Sequence, residues 1–349
     1  MVIIREALLT DNAGLLQLTS MTPMKGRISL RIDRNPDFFS LLSKRGRSEV
    51  FVAEKNGNLV GCFSVSDTET RVNGNYEKVY YLADLKIHPS HGGRTLVRLL
   101  NIMSDYIRRC DADLLFCTAA FGNEKIMPLF KGRAGFPEFL PVGTFKVHQI
   151  IPLKGKINPE RYSIKETEIN DSIIDLYNRF YSKYEVAPFY STSAFQGTLT
   201  IAAMEKNVIK ASVTLTDISN SKQNVLMGLP FILNLVVIIL RILNRIIPFI
   251  NLPEIGKPVK ILYIKAFAFE NGYEDGLEFL IRSARQLAFR ERYCYLTVGI
   301  HERDPLARLF SKYLHFTFQS LGFILSMHGN NEKINKILKG VLYEDYSLV

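Results

Sequence analysis

The spacing of apolar and polar positions along this chain predicts one mixed α/β unit followed by a looser echo of it. Residues 2–6 read as a strand. Thr10-Asp11-Asn12 then caps a helix whose apolar face includes Leu15, Leu16 and Leu18, because side chains of this kind accept from the free amides of a first turn. A second helical stretch follows Pro36, with Phe38, Phe39, Leu41 and Leu42 on its apolar face. Apolar runs at 50–54 and 59–65 flank Lys55-Asn56-Gly57-Asn58, and Asn-Gly tolerates the positive φ of a tight turn, so a β-hairpin is predicted. A strand over 78–88, a helix carrying Leu96, Leu99, Leu100 and Met103, a buried strand over 113–118, a short helix opened by Asn123 and a strand over 145–153 complete the unit.

The second half repeats the outline with little residue identity. It predicts strands at 161–167, 199–205, 208–216, 259–269, 293–300 and 316–327, with a last one at 341–348, and helices at 171–184, 274–290 and 305–313. The expected architecture is an α/β fold of two units, each a twisted mixed sheet flanked by helices: residues 1–155, and residues 156–349 with an apolar helical insert at about 225–253. Internal duplication accounts for the echo, and an unrelated α/β partner domain is the alternative.

That insert breaks the pattern. Residues 229–252, LPFILNLVVIILRILNRIIPFINL, hold a helix between Pro230 and Pro248. Its ~18 residues would span ~27 Å, near bilayer thickness. Asn234, Arg241 and Arg245 share one narrow face, and arginines in mid-membrane are unfavourable. An interfacial helix in a peripheral membrane contact, a homodimer contact or a lid over an acyl-chain pocket fits better. The plain alternative is a helix buried between the halves with its arginines reaching solvent.

Of the 349 residues, 47% are hydrophobic and 22% charged, an ordinary globular balance that excludes wholesale disorder. The net charge of +10 suits an acidic partner: nucleic acid, an anionic membrane or a polyanionic cofactor. Basic residues are dispersed and no nucleic-acid-binding motif is present, so no nucleic acid is expected. Cys62, Cys110, Cys117 and Cys294 form no CxxC pair and no zinc-ligand spacing, so free thiols and no metal are expected. The first residues lack the pattern of a secretory signal, which gives a cytoplasmic expectation.

The chemistry lies in residues 80–100, YYLADLKIHPSHGGRTLVRLL. A strand ending in Leu85-Lys86-Ile87 runs through Pro89 into His91-Gly92-Gly93-Arg94-Thr95-Leu96-Val97 and a helix. Glycines there let successive amides at a helix N-terminus approach a diphosphate. A plain strand-to-helix turn uses the same residues. The segment resembles the cofactor-binding signature of the GNAT superfamily of acyl-CoA-dependent N-acyltransferases, L-x-V followed by R-G-x-G-x-G/A. Gly92 stands where that family has a basic residue, Thr95 where it has a glycine and Val97 where it has a small residue. Asn123, Leu129-Phe130 and Gly135-Phe136 are similar to its N-x-x-A-x-x-L-Y-x-x-x-G-F segment, with Phe130 in place of the tyrosine that donates a proton to the departing thiolate.

The resemblance implies an N-acyltransferase, in the first instance an N-acetyltransferase, using acetyl-CoA or another acyl-CoA as co-substrate and an amine-bearing small molecule or peptide as acceptor. It implies cofactor contacts at Leu85, Lys86, Ile87, His91, Gly92, Gly93, Arg94, Thr95, Leu96 and Asn123. Asp84, beside the expected thioester, is the candidate base; a structural ion pair is its other fate. Tyr81 and the basic Arg27, Arg31 and Arg34 are candidates for binding the acceptor; core packing of the tyrosine and a solvated basic loop are the plain alternatives. The half carrying Glu270, Glu274 and Asp275 at the corresponding loop is a degenerate unit, because carboxylates repel a diphosphate. The competing function is a non-catalytic acyl-CoA-binding or protein- or membrane-interaction protein.

Overall fold

The computed structural model describes residues 1–23, 29–123, 126–155, 161–246, 249–329 and 331–349. The first half contains β1 (Ile3–Glu6), α1 (Asn12–Ser20), β2 (Ser29–Asp33), α2 (Phe39–Arg45), β3 (Ser48–Lys55), β4 (Asn58–Val72) and β5 (Asn75–Ile87). It continues with α3 (Arg94–Arg109), β6 (Leu114–Ala120), α4 (Met127–Phe130) and β7 (Leu140–Ile150). The second half contains β8 (Ser163–Thr167), α5 (Asp171–Tyr181), β9 (Val186–Pro188), β10 (Leu199–Glu205), β11 (Val208–Thr216), β12 (Gln223–Gly228) and α6 (Phe231–Ile246). It ends with β13 (Pro258–Val259), β14 (Ile261–Phe269), α7 (Glu274–Arg290), β15 (Tyr295–His301), α8 (Ala307–Ser311), β16 (His315–Ser326) and α9 (Asn331–Lys339).

One continuous sheet runs β1-β3-β4-β5-β6-β16-β7-β15-β14-β11-β10-β8, with β9 attached to β4. The order reads the same from both edges once the halves are matched: β1 with β8, β3 with β10, β4 with β11, β5 with β14, β6 with β15 and β16 with β7. Each half places its last strand beside the other. β16 pairs with β6 from Ser320↔Ala120 to Ser326↔Leu114, and β7 pairs with β15 from Ile150↔Leu296 to Phe145↔His301. The seam is packed by side chains of both halves, including Val79, Phe116, Phe145, Ile324, Ile337 and Tyr346.

The local reasons are those read in the sequence. Asn56 (φ 52) and Gly57 (φ 79) close the β3–β4 hairpin with two left-handed residues. α3 buries Leu99, Leu100, Met103 and Ile107 along one stripe. Three expectations are corrected. Residues 341–348 form no strand: beyond one parallel bridge at Leu342 they pack inward as irregular chain, with Tyr343, Asp345, Tyr346 and Ser347 buried. The short helix begins at Met127, four residues past Asn123. The insert is not a helix buried between the halves, since α6 buries none of its residues. The short sheet β13-β12-β2, which carries α6 between two of its strands, was not legible beforehand.

Candidate functional site

β5 and β6 run parallel and pair only from Val79↔Leu114 to Tyr81↔Phe116. Beyond that point β5 stays with β4 as far as Ile87 and β6 stays with β16 as far as Ala120, so the two strands part at their C-terminal ends. The register of β4 against β5 slips just there, from Ser64↔Ala83 to Cys62↔Lys86, which leaves Asp84 in a bulge at φ 54. The bulge turns the strand away from its neighbour and opens a fork. Residues 83–87 are each partly exposed although β5 is an inner strand of the sheet.

The second half repeats this device and closes it. β14 and β15 pair only from Ile261↔Tyr295 to Tyr263↔Thr297, and β14 slips against β11 so that Lys265 is the extra residue. Here every residue of β14 is buried. Tyr343 and Tyr190 donate their hydroxyls to the Lys265 carbonyl at 2.9 and 3.2 Å, and the Phe267 amide donates to the Tyr181 hydroxyl at 3.2 Å. Side chains thus occupy the strand edge that the first fork leaves bare. Glu270, in the loop above, is held by Arg179, and Asp275, in the first turn of α7, by Arg161 and Tyr162.

At the mouth of the first fork, the loop after Ile87 leads into α3. Gly93, at φ 60, caps the helix without a side-chain bond. His91, Gly92, Gly93 and Arg94 lie at the surface or close to it, and a Cβ on either glycine would meet nothing within 4 Å. The first amides of a helix have no intrahelical acceptor, and those of Gly92 and Gly93 have no backbone partner among the described residues. Thr95 turns inward and is buried, Leu96 packs on the apolar core of this half, and Val97 points to solvent. Asn123 is exposed three residues beyond β6. Because β5 and β6 are parallel, it stands at the same rim as residues 88–93. Phe130 is buried, stacked on Phe323 of β16 at 4.4 Å.

Behind the fork lies a group of buried and half-buried charges drawn from both halves. Asp84 accepts from Arg34 at 2.8 Å and from Ser64 at 2.9 Å, and both partners of the ion pair are nearly inaccessible. Burial alone raises the Asp84 carboxyl; Arg34, Lys86, the Ser64 bond and Arg45 outweigh it and hold the group below the ordinary carboxylate range. Tyr81, at the last paired position, shares a hydrogen bond of 2.8 Å with Thr118 and lies 3.5 Å beneath the Arg45 guanidinium. Burial pushes its hydroxyl up to about 12. Glu344 comes from the far end of the chain. Burial pushes its carboxyl up to about 7 against the pull of Arg45, with Asp345 adding to the rise. Lys222 is buried over the Tyr263 ring, and burial, reinforced by Arg34 and Arg45, brings its ammonium down to about 7. Asp345 is tied to the buried Lys265 at 2.7 Å.

The site residues named from sequence therefore divide. Residues 81 and 84–96 gather at the fork, with Asn123 on its rim. Arg31 lies on β2, held by both carboxylate oxygens of Asp33 at 2.8 Å. Arg27 falls outside the described residues. Arg34, read from sequence as a basic residue that could favour an acidic acceptor, is instead buried against Asp84. Arg45, Lys222 and Glu344 were not foreseen; each sits in an unremarkable local context, and only their convergence marks them. Among the described residues no cluster of His, Cys, Asp or Glu is arranged to hold a metal ion. A separate cavity of about 730 Å³ is lined by Lys154, Glu166, Ser283 and Arg290, none of them part of either fork.

No protein-family model matches the chain, and no curated protein matches it in sequence. Solved structures match the fold over nearly its whole length. Saccharomyces cerevisiae N-myristoyltransferase with bound myristoyl-CoA superposes with a TM-score of 0.61 at 12% identity, covering 93% of this chain and 82% of that one. A GCN5-related N-acetyltransferase from Anabaena variabilis gives 0.53 at 10% identity, covering 93% and 72%. A protein from Enterococcus faecalis described as a probable N-acyltransferase gives 0.52 at 7% identity, covering 92% and 72%. The chain shares the mixed α/β fold of these acyltransferase structures. At these identities the likeness is one of fold.

Proposed function

We propose that this protein is an N-acyltransferase that binds acyl-CoA in the fork between β5 and β6 and passes the acyl group to an amine. The observation that carries the reading is the difference between the two forks: the first leaves residues 83–87 of an inner strand partly exposed, while the second fills the same place with tyrosines. A bare strand edge offers backbone amides and carbonyls to a pantetheine arm, which is itself a chain of amides. Leu85, Lys86 and Ile87 supply that edge. The amides from Gly92 to Leu96, at the positive end of the α3 dipole, receive the diphosphate; that of His91 is already given to the His88 carbonyl at 2.9 Å. Arg94 adds charge, and Asn123 reaches in from the same rim, beyond the end of β6.

In the reaction, the amine nitrogen attacks the thioester carbonyl carbon, the new C–N bond replaces C–S, and coenzyme A leaves as thiolate. Phe130 has no proton to give, so the thiolate takes its proton from elsewhere. The amine proton needs a base titrating near neutrality. Asp84 is held ionised by Arg34 and is a weak base; it serves to fix the bulge. Glu344, pushed up to about 7, fits the proton-accepting role. Tyr81 and Arg45 border the acceptor's approach, and the buried, unpartnered Nη1 of Arg34 favours an acceptor with a carbonyl or anionic oxygen near its amine.

Calorimetric titration with acetyl-, octanoyl- and myristoyl-CoA tests the cofactor, and a thiol-release assay with mixed amines and peptides tests the transfer. One acyl-CoA binding at micromolar concentration, with turnover, is expected. Heat without thiol release leaves an acyl-CoA-binding protein; no heat with any of them removes both readings.

A further inference from the structure

α6 spans about 24 Å at helical rise and buries none of its residues. At 100° per residue its positions separate into two faces. Over an arc of roughly 160°, from Ile238 through Phe231, Leu235 and Ile239 to Val236, every position is Phe, Ile, Leu or Val. That arc is the outward face: Phe231 is 83%, Ile232 74% and Ile246 76% exposed. The positions turned toward the protein are Asn234, Val237, Leu240 and Asn244, each only partly covered. This inverts the usual surface helix, whose apolar stripe faces in and whose polar face meets water. Arg241 and Arg245 stand side by side along one flank of the apolar arc. Arg241 gives one N–H to the Pro253 carbonyl at 2.7 Å, and Arg245 makes no hydrogen bond among the described residues. No Asp or Glu occurs between 229 and 252.

We propose that α6 is a membrane anchor lying in the surface of an anionic bilayer, its apolar arc among the acyl chains and Arg241 and Arg245 at the phosphates. The helix does not span: no helix among the described residues is long and apolar enough to cross a membrane. Charge decides the occupant. A second copy would bring two bodies of net charge +10 together, whereas an anionic leaflet attracts them, and apolar burial combined with that attraction is what holds interfacial helices. The helix is also rooted on the protein's own frame. It springs from the short sheet between β12 and β13, and β2 of that sheet runs directly into Arg34 behind the fork. The proposal does not depend on the acyl-transfer reading.

Flotation of the full chain with vesicles tests it. Vesicles of phosphatidylcholine with phosphatidylserine should carry the protein to the top of the gradient. Pure phosphatidylcholine should do so weakly, and added salt should release much of it. Ile239→Asp, at a side chain 49% exposed, should keep the thermal unfolding midpoint and lose binding by roughly tenfold or more. Arg245→Glu should lose chiefly the preference for the anionic vesicles. No flotation with either vesicle overturns the proposal. So does a concentration-dependent dimer in light scattering that Ile239→Asp dissolves while vesicle binding is unchanged, since α6 would then cover a second copy.

Discussion

Arg34 and Asp84 show how single residues work here. Both side chains are nearly stripped of water, and the ion pair at 2.8 Å is the main compensation for each. Arg34→Ala takes from a buried carboxylate its ion-pair partner, leaving the Ser64 bond, and should cost about 3–5 kcal/mol in chemical denaturation. The double variant Arg34→Ala/Asp84→Ala should recover part of that loss. Glu344 behaves oppositely. Its folded-state pKa is raised to about 7, so the folded protein holds this proton more tightly than the unfolded chain. The contribution to stability is complete below the unfolded value of the carboxyl and is lost as pH rises through about 7. Glu344→Gln should therefore match the parent at low pH and exceed it above neutrality by about 1–3 kcal/mol, read from unfolding midpoints across pH. If Glu344 takes the amine proton, the same variant should lower kcat by about 10²–10⁴-fold and remove the acidic limb of the pH–rate profile near 7.

At the scale of elements, turns built from glycine do different work. Gly57 and Gly93 both sit at positive φ with open space where a Cβ would go. Gly57→Ala and Gly93→Ala should each cost about 1–2 kcal/mol for the left-handed conformation. Only Gly93→Val, whose bulk would stand over the amides at the start of α3, should also weaken acyl-CoA binding, which titration against Gly57→Val as control would show. The forks make a second contrast. In the closed one the Phe267 amide depends on the Tyr181 hydroxyl, so Tyr181→Phe should cost about 1–3 kcal/mol in unfolding free energy for a stranded buried donor. Helix boundaries and hairpins were legible because their causes are local, and α7 lies at 274–290 as its periodicity indicates. β2, β12 and β13 were not, since each is a short strand stabilised by partners far along the chain.

For the whole molecule the exchange of last strands matters most. β6 has β16 as its outer neighbour and β7 has β15. A chain cut after residue 155 would leave β6 bare along one edge and β7 along both, and lose the packing at the seam. Such a fragment should aggregate alone and regain solubility when co-expressed with residues 156–349. The intact chain should unfold in one transition seen identically by circular dichroism and tyrosine fluorescence. Two separated transitions would mean that the halves hold together less than the continuous sheet indicates. The echo between halves was readable from the order of elements; the interleaving was not, because strand order is set by contacts that no local pattern encodes.

What the amino-acid sequence determined by itself was the set of elements, their order, and the glycine turn placed between β5 and α3. Hydrophobic period and turn chemistry act over a few residues, so they survive without a fold. Tertiary structure decided which of two similar forks stands open, and which carboxylates are locked and which are raised. Those depend on burial and on pairs such as Arg34 with Asp84, 50 residues apart, and Lys265 with Asp345, 80 apart. Desolvation is a property of everything that surrounds a group, and the chain acquires it only when distant segments meet.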